Sequence, residues 1–124
     1  MSNASDYLEE RILTNEIYSA ANSIHLYTVA EADDGMTGSE SMDSNYGSQS
    51  IYFDSPVSPD GTITTSSDVE FPSFAGDDDD IVGWAIQDGS ANLLVHGTFS
   101  GGDITIVAGS VVKIMAGDLT INCA

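Results

Sequence analysis

Hydrophobic positions along this chain change period once, near residue 20. Before it, Leu8, Ile12 and Leu13 recur at helical spacing behind Ser5 or Asp6 as a cap, with Glu9 three residues after Asp6 in the manner of a capping box. The pattern predicts a helix over residues 6–15, with Arg11 placed late enough to suit the helix dipole. After the small-residue link at 18–23, Ile24-His-Leu-Tyr-Thr-Val29 is rich in β-branched and aromatic residues and reads as a strand. The stretch 30–47, with three glycines and five acidic residues, is too long and polar for a tight turn and is expected to be an exposed loop.

From Ser48 onward strand and turn signals alternate without a helical pattern. Residues 48–53, 62–65 and 69–71 are short β runs, punctuated by Pro56, Pro59, Asp60-Gly61 and Gly76. Residues 81–86 and 92–99 flank Asp88-Gly89, a hairpin signal. Residues 104–107, 110–115 and 119–123 follow, separated by Ala108-Gly109 and Ala116-Gly117. Eight or nine short strands at near-regular spacing predict an all-β fold, a single antiparallel β-sandwich, jelly-roll-like, with a short N-terminal helix. We expect one domain over residues 1–124, with a helical arm at 1–23 and the sandwich at 24–124.

Charge changes the picture of where such a domain lives. Twenty Asp and Glu face only Arg11 and Lys113, a formal net charge of −18. At about 0.1 M salt, with a Debye length of about 10 Å, these carboxylates oppose compaction, whereas near 1 M screening shortens to about 3 Å. The 41% hydrophobic content argues against disorder. The expectation is a globular domain whose surface suits brine. Two cations exclude a nucleic-acid interface, and the same field repels an anionic membrane. The N-terminus lacks the basic and apolar regions of a signal peptide and no stretch is long enough to span a membrane, so folding in a cytoplasm is expected.

Candidate chemistry is sparse. Asp77-Asp78-Asp79-Asp80 is the one run that could attract a hard cation, but consecutive residues cannot all face one ion, and the alternating ligands of an EF-hand are missing. It is read as a solvated acidic turn, the salt adaptation concentrated in one place. His25 and His96 fall in predicted strands and read as sheet residues, and no nucleophile elbow, phosphate-binding loop or zinc-protease motif occurs. Cys123 has no partner for a disulfide or a zinc site and reads as a small apolar residue. Asn3-Ala4-Ser5 is a formal glycosylation sequon, discounted without an export signal. Among the aromatics, Tyr52, Phe53, Phe71 and Trp84 read as core or loop anchors, with Trp84 expected to be buried. Tyr46 and Phe74, in loops, are candidates to contact a neighbouring chain. No catalytic, metal or cofactor-binding residue is assigned.

The order of the pieces is similar to a family of small virion proteins of tailed viruses, variously described as tail fibre, minor capsid or head-decorating proteins. The likeness is carried by Asp6-Tyr-Leu-Glu-Glu-Arg-Ile-Leu13, Ile24-His-Leu-Tyr-Thr-Val-Ala-Glu-Ala-Asp-Asp-Gly35, Asn45-Tyr-Gly47 and the stretch from Gly61 to Pro72. It continues through Val82 to Gly97 and the stretch from Val107 to Ile121, which ends Ala116-Gly-Asp-Leu-Thr-Ile121. The chain departs from that pattern in its acidity and in the Asp77 to Asp80 run. The resemblance implies a structural, non-enzymatic role without cofactors, as a homo-oligomer with partners among the major capsid or other virion proteins, and a host surface glycan or S-layer as a further contact. With the charge, it implies a halophilic, archaeal host. A capsid-surface decoration or vertex turret is favoured because no heptad or fibrous repeat is present. The N-terminal helix and the Ile24 strand are then the expected subunit or docking face. The alternatives are a tail or tail-tip protein meeting the host through loops 30–47 and 72–80, and a carbohydrate-binding module using Trp84 or Tyr46.

Overall fold

The computed structural model describes residues 5–19, 21–55, 62–99 and 101–122. The punctuation at Pro56, Pro59 and Asp60-Gly61, the Asn3 sequon, Cys123 and the side chain of Glu9 lie outside the described part.

Helix α1 (Asp6–Ile12) starts where Ser5 Oγ accepts the Leu8 N–H at 3.2 Å, the cap read from the sequence. It does not stop at Asn15. A π-helical stretch (Leu13–Tyr18) carries it three residues further. Leu13 and Ile17, four apart, drop into the core at 2% and 5% exposure. Beyond them Asn22 Nδ2 donates to the carbonyl oxygens of Glu16 and Ile17 at 3.0 and 3.3 Å, satisfying acceptors that a helix end leaves open.

Among the described residues nine strands follow, all paired antiparallel: β1 (Asn22–Val29), β2 (Ser39–Glu40), β3 (Gln49–Ile51), β4 (Thr62–Thr64), β5 (Val69–Glu70), β6 (Gly83–Gln87), β7 (Leu93–Thr98), β8 (Lys113–Ile114) and β9 (Thr120–Asn122). A five-stranded sheet runs β2-β1-β6-β7, with β3 sharing the β1 edge beside β2. β4 with β9 and β5 with β8 make two short ribbons. Past its end β3 continues onto β4 through the Phe53 and Thr65 bridge, with Asp54 N–H donating to Thr64 O at 2.9 Å and Ser66 N–H to Tyr52 O at 3.0 Å.

The fold is all-β, as the alternation predicts. Alternate β1 residues Ile24 and Leu26 are fully buried and meet Ile86 from β6, Ile63, Val69, Ile114 and Ile121 from the ribbons, and Phe71, Phe74 and Ile81 from the connections. Burying each such side chain contributes about 1.5–3 kcal/mol. This shared core makes the two ribbons the second layer of the sandwich.

Two predicted strands are shorter than expected. In 104–107 only the Ile104 bridge to Ile81 forms, and in 110–115 only Lys113–Ile114. Phe71 N–H donates to Val112 O and Phe74 N–H to Ser110 O, so three residues on one side match two on the other and the ladder breaks. Among the described residues no helix is long and apolar enough to cross a membrane.

Candidate functional site

The stretch read as an exposed loop is only half one. Residues 33–37 are exposed, but Ser39–Glu40 pairs with β1, and Ser41 and Asp43 are buried. Asp43 makes an Asx-type turn, accepting the Asn45 N–H at 3.0 Å. Its carboxylate also accepts N–H groups from across the fold: Ala75 at 2.9 Å, Gly76 at 2.8 Å and Asp77 at 3.3 Å. Burial alone would raise this carboxyl. The four N–H groups more than reverse that and hold it at about 2.

The acidic run completes the junction: Asp77, Asp79 and Asp80 are exposed, as a solvated turn requires, but three of the four carboxylates also tie neighbouring loops. Asp77 accepts the Ser44 N–H at 3.0 Å and its hydroxyl at 2.7 Å, Asp78 accepts the Met42 N–H, and Asp80 accepts the Ile106 N–H at 3.1 Å. The hydrogen bonds from the Met42 and Asp79 amides hold the Asp78 carboxyl below its ordinary value. Gly76 permits the approach: its φ is +85°, and a Cβ there would stand 2.5 Å from Ala108 N. Among the described residues no group of three or more His, Cys, Asp or Glu could hold a metal ion.

Beside this acidic clasp, Tyr46 stacks on Phe71 and Phe74 with ring centroids 6.1 and 6.3 Å apart. Its hydroxyl donates to Glu40 and accepts the Leu26 N–H at 3.0 Å, filling the gap in the β1 ladder between β2 and β3. Burial, then the bond to Glu40, pushes the Tyr46 phenol up. Burial pushes Glu40 up as well, but the bonds from His25 and Tyr46 bring it below its ordinary value.

His25 Nδ1 lies 2.7 Å from Glu40 and its Nε2 2.7 Å from Ser23 Oγ. An ionised Glu40 only accepts, so Nδ1 carries the proton and Nε2 takes the Ser23 hydroxyl. That is the order of a hydrolase triad, but a triad also needs oxyanion donors. Ser23 is paired on both sides within the sheet, with Ser50 of β3 and Gln87 of β6, and it lines neither the groove at Trp84 and Phe99 nor the hollow at Tyr7 and Asn15. The relay fastens β2 to β1.

The far side of the sheet is built differently. β7 ends the strand order, and its residues 93–97 are half-exposed. It carries no Asp, Glu, Lys or Arg. A groove of about 480 Å³ opens beside its end, floored by Trp84, Phe99, Ile104 and Leu119 and rimmed by Lys113 and Asp118.

The structure therefore redistributes the expected residues. Phe74 is 1% exposed and cannot reach a neighbouring chain, and Tyr46 faces the core. Trp84, expected inside, is half-exposed with its ring over Gly97, where a Cβ would come within 2.7 Å of it. β1, expected at a docking face, is central, and the helix leaves Tyr7, Leu8 and Tyr18 exposed. His96 is a half-exposed sheet residue as read, 2.7 Å from Asp33. Asp43 was missed. Its only sequence signal is the Asp-Ser-Asn-Tyr turn composition, because three of its four donors lie more than thirty residues away.

The model of one protein family, described as Podophage GP4 fiber I protein gp80, matches residues 3–122. That span covers nearly the whole chain, so the chain belongs to this family of podophage fibre proteins and is a structural protein of a tailed-virus virion. No curated protein and no solved structure matches it.

Proposed function

We propose that this protein is a subunit of a fibre at the tail of a tailed virus, assembled inside the host cell from copies of itself and other virion proteins. The observation that carries this is the family match across residues 3–122, whose description names a fibre and so stands closer to the tail reading than to the capsid decoration favoured from compactness. The stacked aromatic core and the carboxylate-capped turns fit a passive building block. The exposed tip at 33–37, with Met36 at 84% exposure, is the surface offered to the host envelope.

The net charge of −18 supports a halophilic host. Melting temperature is expected to rise as KCl goes from about 0.1 M to about 2 M, because repulsion is screened and burial strengthened. A melting temperature indifferent to salt contradicts the brine reading. Placement is tested by immunogold labelling of intact particles: label at the tail supports the proposal, and label confined to the head overturns it.

A further inference from the structure

The two margins of the five-stranded sheet differ in how they meet solvent. Strand edges left open are templates for pairing, and proteins blunt them by shortness, charge or proline. β2 has two residues, one of them Glu40, whereas β7 has six and no charged residue.

Backbone direction along β7 follows from the ladder. Leu26 sends its N–H to Tyr46 Oη and its C=O to the Ser41 N–H, both away from β6. Antiparallel strands alternate the side to which successive residues turn these groups. Trp84, opposite Leu26, therefore faces β7, and Gly97, opposite Trp84, faces back. His96 and Thr98 are left directing N–H and C=O outward. Among the described residues no backbone group bonds to them on that side.

We propose that the β7 edge is the contact between two copies of this chain, joined antiparallel across a two-fold axis at Gly97. His96 of one copy then lies opposite Thr98 of the other. The occupant is argued from charge. Copies carrying −18 each repel wherever carboxylates meet, so they approach most closely where the chain brings none of its own, as along the run from Ser90 to Gly102. Asp33, which reaches this edge, is engaged there by the His96 ring at 2.7 Å, and Asp118 at the groove rim stands beside Lys113. An antiparallel edge is also self-complementary under a two-fold, as an isologous contact requires. The groove beside Thr98 and Phe99 is continuous with the edge and gives the second copy an apolar seat.

The proposal rests on the reading of the chain as an assembling subunit but fails separately from it. The full chain is sedimented in about 2 M KCl, where screening removes long-range repulsion, alongside Thr98→Pro, which deletes an outward donor the fold does not use. His96→Lys is the second variant, placing a charge on the edge while keeping a hydrogen-bond donor for Asp33. The expected result is a dimer for the parent chain and loss of the dimer in both variants with unchanged circular dichroism. A monomeric parent, or an oligomer that survives both variants, overturns the edge, while tail labelling in the same virus would leave the fibre reading standing.

Discussion

One margin of the sheet is fastened by several carboxylates, whereas the strand at the other carries none of its own. On the β2 side, Glu40 joins His25 and Tyr46, and Asp43, Asp77 and Asp78 tie loop 41–46 to loop 74–78. On the β7 side the strand itself has no acid, Asp33 reaches it only at the His96 ring, and among the described residues no further strand pairs beyond it. The contrast teaches that acidity here is placed, not spread. Side chains that look like generic adaptation to salt are backbone acceptors where the fold must be tied, and are absent from the strand that ends the sheet.

The largest effect should come from the aromatic stack under the clasp. Phe74→Ala is expected to cost about 3–5 kcal/mol in denaturant unfolding, because Phe74 is 1% exposed and the clasp cannot collapse into the space. A smaller loss would mean that the stack does not support the fastened side.

Asp43→Asn should follow, lowering the melting temperature and also changing its response to acid. Asp43 is held at about 2 in the fold, below the ordinary aspartate value of about 3.9. Its contribution is full above pH ~4 and is lost as pH falls toward ~2. The depressed Asp34, Glu40, Asp78 and Asp88 act with the same sign. In high salt the parent should lose stability between those values, and Asp43→Asn should lose less. Equal acid limbs would remove Asp43 from the account.

Tyr46→Phe deletes the acceptor for the Leu26 N–H and a donor to Glu40 while keeping the ring, and is expected to cost about 1–3 kcal/mol. Thr98→Lys, on the open side, should change monomer stability by no more than about 0.5 kcal/mol. A large loss there would show that the β7 edge is engaged within its own chain.

Much of the architecture was legible because it is written in neighbouring residues. Ile24 to Val29, the hairpin through Asp88-Gly89 and the Ser5 cap each carry their own periodicity or turn chemistry, and the structure places them where expected. The helix end was not legible, since Asn22 caps it from the following strand. Nor were the breaks at 104–107 and 110–115, where local β propensity yields to the mismatched pairing with Phe71 and Phe74. The clasp was the least legible. An Asp run looks the same whether it meets water or the N–H groups of loops 26 to 36 residues away, and only the fold distinguishes them.

Hydrogen exchange resolved by amide tests the contrast most directly. The account predicts that the Ala75, Gly76 and Asp77 amides exchange slowly at every protein concentration, whereas those of His96 and Thr98 exchange fast when dilute and become protected as concentration rises. Fast exchange at the clasp, or protection of His96 and Thr98 that does not depend on concentration, would contradict it.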